Sequence, residues 1–171
     1  MAATQWDFEQ LGAAWTDPAL VNTQRSVLVD PAQHADLLTR LVLDAAFEVH
    51  ARLGPGFERS HYAQALALEF ERRSLPFTRD VAVPVQYRGS PVGETRAHFV
   101  IGGCLLLEQS SPEVVASNQL ARVAAKLRLL GLPLGLLVTF EVALLRCGIR
   151  RVSPDIGPPG IGGRSQPRGC P

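Results

Sequence analysis

A chain of 171 residues with 46% hydrophobic and 19% charged residues supports one domain of ordinary size around one contiguous core. Its formal net charge of +1 excludes the strongly basic footprint of a dedicated nucleic-acid binder and leaves only local basic patches. Three cysteines, Cys104, Cys147 and Cys170, are odd in number and far apart, so they indicate neither a disulfide framework nor a zinc site, and a reducing compartment fits them best.

Residues 1–34 lack sustained periodicity but hold both tryptophans, Trp6 and Trp15, with Phe8 and Leu11 between them. Such aromatics either fold back on the chain's own core or anchor a partner, and the sequence leaves both open. Asp7, Glu9 and Asp17, with no long apolar run, argue against a secretory signal or an Arg-rich transit peptide. The apolar run from Leu127 to Phe140 is broken by Gly131, Pro133 and Gly135 and is too short to span a bilayer. The expectation is a soluble intracellular protein without membrane insertion.

From Ala35 to Leu53, apolar residues at Leu38, Leu41, Val42, Ala45, Ala46, Val49 and Leu53 recur at spacings of three and four, which predicts an amphipathic helix. Gly54-Pro55-Gly56 then ends it: Gly54 suits a left-handed C-terminal cap and Pro55 cannot extend the helix. Tyr62, Leu66 and Phe70 predict a second helix from near Phe57 to about Arg73.

Beyond Pro76 the period becomes two. Val81, Val83, Val85 and Tyr87 alternate with polar or small residues, as in a half-buried strand, and Pro84 points to an edge position or a bulge. A turn at Arg88-Gly89-Ser90-Pro91 leads to a strand from Glu94 to Ile101, and Gly102-Gly103 to another from Cys104 to Glu108. Ser111-Pro112-Glu113 reads as the start of a helix that stops at Gly131, with Arg122, Lys126 and Arg128 as its basic side. Leu134 to Phe140 is a further strand, so the helix is a crossover onto the same sheet. From Val152 onward the composition is rich in Gly and Pro and builds no core.

Over about Leu37 to Arg151 the chain resembles the GxxExxY family, a branch of the PD-(D/E)xK nuclease superfamily. The resemblance is carried by Glu48-Val49-His50 before Leu53-Gly54-Pro55-Gly56, by Tyr62, by the hairpin Val83 to Arg96, by Leu134-Gly135-Leu136-Leu137-Val138-Thr139-Phe140, and by Leu144 to Arg151. It implies an α/β fold of the α+β mixed-sheet type with a restriction-endonuclease-like core: two N-terminal helices, a three-stranded antiparallel meander, a crossover helix and a further strand. The domain expected is 35–151, with a Trp-bearing extension over 1–34 and a Gly/Pro-rich tail over 152–171.

The chemistry implied by the resemblance needs an acidic pair to hold a hard divalent cation and a lysine to help activate water. The positions that match these groups are degenerate here. Arg59 stands for the motif's glutamate, His98 for the sheet aspartate, Ser110 for the lysine after Glu108, and Arg122 for the glutamine of the following helix. Glu58 is adjacent to the lost acid, but one residue along a helix turns a side chain by about 100 degrees. An Arg59–Glu108 salt bridge is the simpler expectation.

His50, His61, His98 and Glu108 are donor types that suit zinc or manganese, yet ordinary polar roles account for His50 and His61, so no metal or other cofactor is expected. The leading expectation is a catalytically inactive nuclease-like domain within a larger intracellular assembly. Its protein partners meet the terminal extensions, with Trp6, Phe8, Leu11 and Trp15 as anchors. The alternatives are a divergent metal-dependent nuclease in which Glu108, His98 and Glu58 substitute for the lost groups, and a non-catalytic nucleic-acid binder using Arg122, Lys126, Arg128 and Arg151.

Overall fold

The computed structural model describes residues 31–111 and 116–155. Helices α1 (Pro31–Leu53) and α2 (Arg59–Arg72) come first. Strands β1 (Phe77–Tyr87), β2 (Ser90–Ile101) and β3 (Leu105–Gln109) follow, then helix α3 (Ala116–Leu130), strand β4 (Leu134–Val138), a short 3-10 turn (Leu145–Cys147) and strand β5 (Ile149–Val152). The five strands lie in the order β1-β2-β3-β4-β5. All neighbours are antiparallel except β3 and β4, which α3 joins as a parallel crossover with Leu105 opposite Leu134. This is the mixed α+β sheet expected from the sequence.

The boundary between α1 and α2 follows from residue chemistry. Gly54 takes φ +68 and its N–H donates to His50 O at 2.8 Å, the left-handed cap that a Cβ would disfavour. The Tyr62 hydroxyl then donates to Gly54 O at 2.7 Å and accepts from Phe57 N at 3.2 Å, so α2 is stapled to the turn that precedes it. The Tyr62 ring stacks on Phe140 with centroids 4.6 Å apart.

Helices α1 and α2 cover one face of the sheet, where Val42, Val49, Leu66 and Phe70 pack with Phe99, Ile101, Leu105, Leu107, Leu136 and Val138. Helix α3 covers the other, where Val123, Ala124 and Leu127 meet Val83, Ala97, Leu106, Leu137 and Val152. Gly135 permits that approach, because a Cβ there would stand 2.9 Å from Val123 Cγ1. Both faces of β3 and β4 are therefore buried, as their continuous apolar runs require.

Several elements depart from expectation. β1 begins at Phe77 rather than Val81, and β2 at Ser90 rather than Glu94. Asp80 takes φ +52 and drops out of the β1–β2 register. On the two sides of it, Val81 packs toward α3 and Phe77 toward α1 and α2. In β2, Ala97 and Phe99 likewise feed opposite faces although they are two residues apart. The pleat thus switches sides at Asp80 and His98 together, which hides the alternation N-terminal to Val81. β1 is an edge strand with a register shift between Val85 and Gln86, in keeping with Pro84.

The segment after β4 adds a fifth strand, which the polar Arg150-Arg151 pair concealed. Cys147 is disulfide-bonded, a pairing that the cysteine count did not indicate. Residues 112–115, where the helix start was expected, lie outside the described residues, as do Trp6, Phe8, Leu11 and Trp15. Among the described residues no helix is long and apolar enough to cross a membrane.

Candidate functional site

Period-two alternation places Leu106 and Glu108 on the α3 side of β3, and Leu107 and Gln109 on the side of α1 and α2. The C-terminal end of β3 therefore sends one polar side chain each way. Glu108, 5% exposed, sits under α3. Its Oε2 accepts from Lys126 Nζ at 2.9 Å and its Oε1 from the His98 backbone N–H at 3.1 Å. Lys126 has a side chain only 14% exposed, so this is a buried ion pair with both ends hydrogen-bonded. The expected Arg59–Glu108 bridge is not made, because Arg59 is on the other side of the sheet, at the start of α2. Lys126 is correspondingly not part of a solvated basic face.

Gln109, with its amide oriented to satisfy both groups, donates to Arg59 O and accepts from Ala63 N, each at 3.2 Å. It ties the end of β3 to the first turn of α2. Its own backbone N–H donates to His98 Nδ1 at 3.0 Å. A main-chain N–H can only donate, so Nδ1 carries a lone pair and the neutral ring holds its proton on Nε2. Burial pushes the His98 pKa below its ordinary value of 6.5. Lys126 and Arg59 act in the same direction, while Glu108 and Asp80 oppose them.

Outside this layer, Glu58, Arg59, Arg79, Asp80, His98 and Gln109 line an open cleft of about 440 Å³. Arg79 is held with its guanidinium 5.5 Å from the centre of the Phe99 ring and donates to Gln64 Oε1 at 2.9 Å. The switch in pleat at Asp80 and His98 turns both residues toward this cleft.

The remaining sequence candidates separate. Ser110 is buried, and its hydroxyl bonds Ser111 O and the Gln119 side chain, linking β3 to α3. Arg122 is exposed on α3. His50 Nε2 lies 2.8 Å from Val142 O, and His61 is exposed beside Phe57, so neither joins His98 and Glu108. Among the described residues no group of three or more His, Cys, Asp and Glu side chains is arranged to hold a metal ion. Of the basic residues assigned to nucleic-acid contact, Lys126 is spent on Glu108, Arg128 donates to Pro154 O and Arg151 pairs with Asp36.

The sequence placed Lys126 on the basic side of the helix without showing it as the partner of Glu108, and it gave Gln119 no role. Their signal was present but weak: Gln119 precedes Arg122 by one turn and Lys126 follows it by one, on a helix whose polar positions look alike.

The donor set does not fit a hard divalent cation. Such an ion needs several free oxygens, and here both oxygens of Glu108 already accept protein N–H groups. The position that the resemblance gives to an aspartate holds an imidazole whose Nδ1 accepts from Gln109.

No curated protein and no solved structure matches the chain. A family model described as the PD-(D/E)XK nuclease superfamily matches residues 36–152, from the second turn of α1 through the end of β5. With more than half of the chain matched and the mixed sheet in place, the chain belongs to the PD-(D/E)XK nuclease superfamily.

Proposed function

We propose that this is a catalytically inactive member of the superfamily, retained as a structural or protein-interaction subunit of a larger intracellular assembly. The observation that carries the reading is the Lys126–Glu108 pair. An internal ammonium stands against the one acid of the motif that remains, so the charge of that carboxylate is balanced within the protein. Arg59, which stands where the resemblance puts the other acid, lines the cleft on the far side of the sheet together with Arg79. Within the superfamily, the GxxExxY resemblance is supported by Tyr62, which closes the Gly54-Pro55-Gly56 turn through its hydroxyl.

The anchors in this reading are Trp6, Phe8, Leu11 and Trp15, whose large aromatic and apolar surfaces suit a partner's pocket. The test is the native mass of the endogenous protein after gentle lysis, with mass spectrometry of its companions. A reproducible complex that dissociates in the Trp6→Ala/Trp15→Ala variant is expected. Migration near 18.5 kDa without companions would overturn the assembly reading.

One observation favours the enzyme alternative. Lys126 brings to Glu108, from α3, the ammonium that the motif would carry at Ser110, so acid and lysine are again neighbours. That reading predicts divalent-cation-dependent cleavage of DNA or RNA that disappears in both Glu108→Gln and Lys126→Met.

A further inference from the structure

We propose that His98 is a proton-operated latch, whose protonation releases the end of β3 from β2 and, through Gln109, loosens the first turn of α2 at the cleft. The proposal rests on which atoms donate. Neutral His98 accepts the Gln109 main-chain N–H on Nδ1 at 3.0 Å. A proton on Nδ1 turns this acceptor into a donor, leaving two N–H groups face to face, and the contact has to open. The nearest anion is Glu108 Oε2, 3.6 Å from Nδ1, so the imidazolium is drawn toward a carboxylate that Lys126 already holds.

The groups facing His98 come from every element around it: Glu108 from β3, Lys126 from α3, Arg59 from α2 and Asp80 from β1. The two carboxylates favour the protonated ring, whereas the two cations and burial oppose it. With burial as the largest influence, the latch stays closed at neutral pH and opens on acidification below the ordinary histidine range. The proton has a route, because His98 lines the cleft with 26% of its side chain exposed. Transmission to α2 follows from Gln109, whose backbone is held by His98 and whose amide bonds Arg59 O and Ala63 N. The inference does not depend on whether the domain cleaves nucleic acid.

The test is a pH titration of the full chain by proton–nitrogen NMR from pH 8 to pH 5. The Gln109 and Ala63 amide signals should shift with the same midpoint as the His98 ring, below pH 6.5. Both shifts should be lost in His98→Gln, whose side-chain oxygen accepts a hydrogen bond at any pH. Amides that stay fixed while the ring titrates, or that still titrate in His98→Gln, would overturn the proposal. A ring midpoint at or above 6.5 would do the same. The wild-type comparison of ring with amides decides the question even if the variant does not fold.

Discussion

Toward α1 and α2 the sheet presents Phe99, Ile101, Leu105, Leu107, Leu136 and Val138 to an apolar layer that contains Phe70 and Tyr62. Toward α3 it begins the same way, with Leu106 under Val123 and Leu127, but ends one pleat later in Glu108 and Lys126. The first face gains stability from area removed from water and has no directional requirement. On the second, two desolvated charges are tolerable only as a pair, so each residue is needed chiefly because the other is present. Deleting groups on the two faces should therefore have different consequences, and those consequences can be ranked.

The largest effect is expected on the apolar face. Phe70 is fully buried and meets Phe77 and Phe99 edge to face, so Phe70→Ala should cost about 3–5 kcal/mol, read as a lowered urea midpoint. Lys126→Met should cost about 3 kcal/mol or more, because it strands a buried carboxylate. Adding Glu108→Leu to that variant should recover most of the loss, an outcome with no parallel on the apolar face. If Lys126→Met is neutral, the pair is not the buried ion pair described here. Tyr62→Phe keeps the ring stacked on Phe140 but removes the hydroxyl between Gly54 and Phe57. A loss of about 1–2 kcal/mol is expected by the same measurement.

The smallest effect is the pH dependence of His98. Its folded pKa is depressed, so the unfolded chain takes up the proton first as pH falls. The stability that neutral His98 contributes is complete above its ordinary value of 6.5 and is lost as pH falls through that value toward the lower folded one. Urea midpoints should decline over that window in the wild type and decline less in His98→Gln.

The same contrast governs what was legible in the sequence. Residues on the α1 and α2 face announce themselves by spacing: Leu38, Val42, Ala45 and Val49 repeat at three and four, and all four are buried. Pro84 marked an edge, and β1 is one. The start of β1 was hidden because Asp80, at φ +52, switches the pleat, so Phe77 and Val81 do not share a face. β5 was hidden because its central Arg150 and Arg151 are exposed.

The positions that the resemblance assigns to the motif could be located on the chain, but the partner of Glu108 could not. On a helical wheel Lys126 lies one turn beyond Arg122 and reads as solvated. Only the crossover, which folds α3 back over β3, brings it to a carboxylate 18 residues earlier. Arg59 looked like the better partner because the motif puts it beside the acid. The alternation of β3 sends Glu108 to the opposite side of the sheet.

On the proposed reading, Glu108 serves the fold and not a reaction. The most direct measurement is cleavage of single- and double-stranded DNA and RNA by the purified full chain with Mg²⁺ or Mn²⁺, alongside Glu108→Gln. The account predicts no divalent-dependent cleavage above the level of that variant. Cleavage by the wild type that requires the cation and disappears in Glu108→Gln would contradict it.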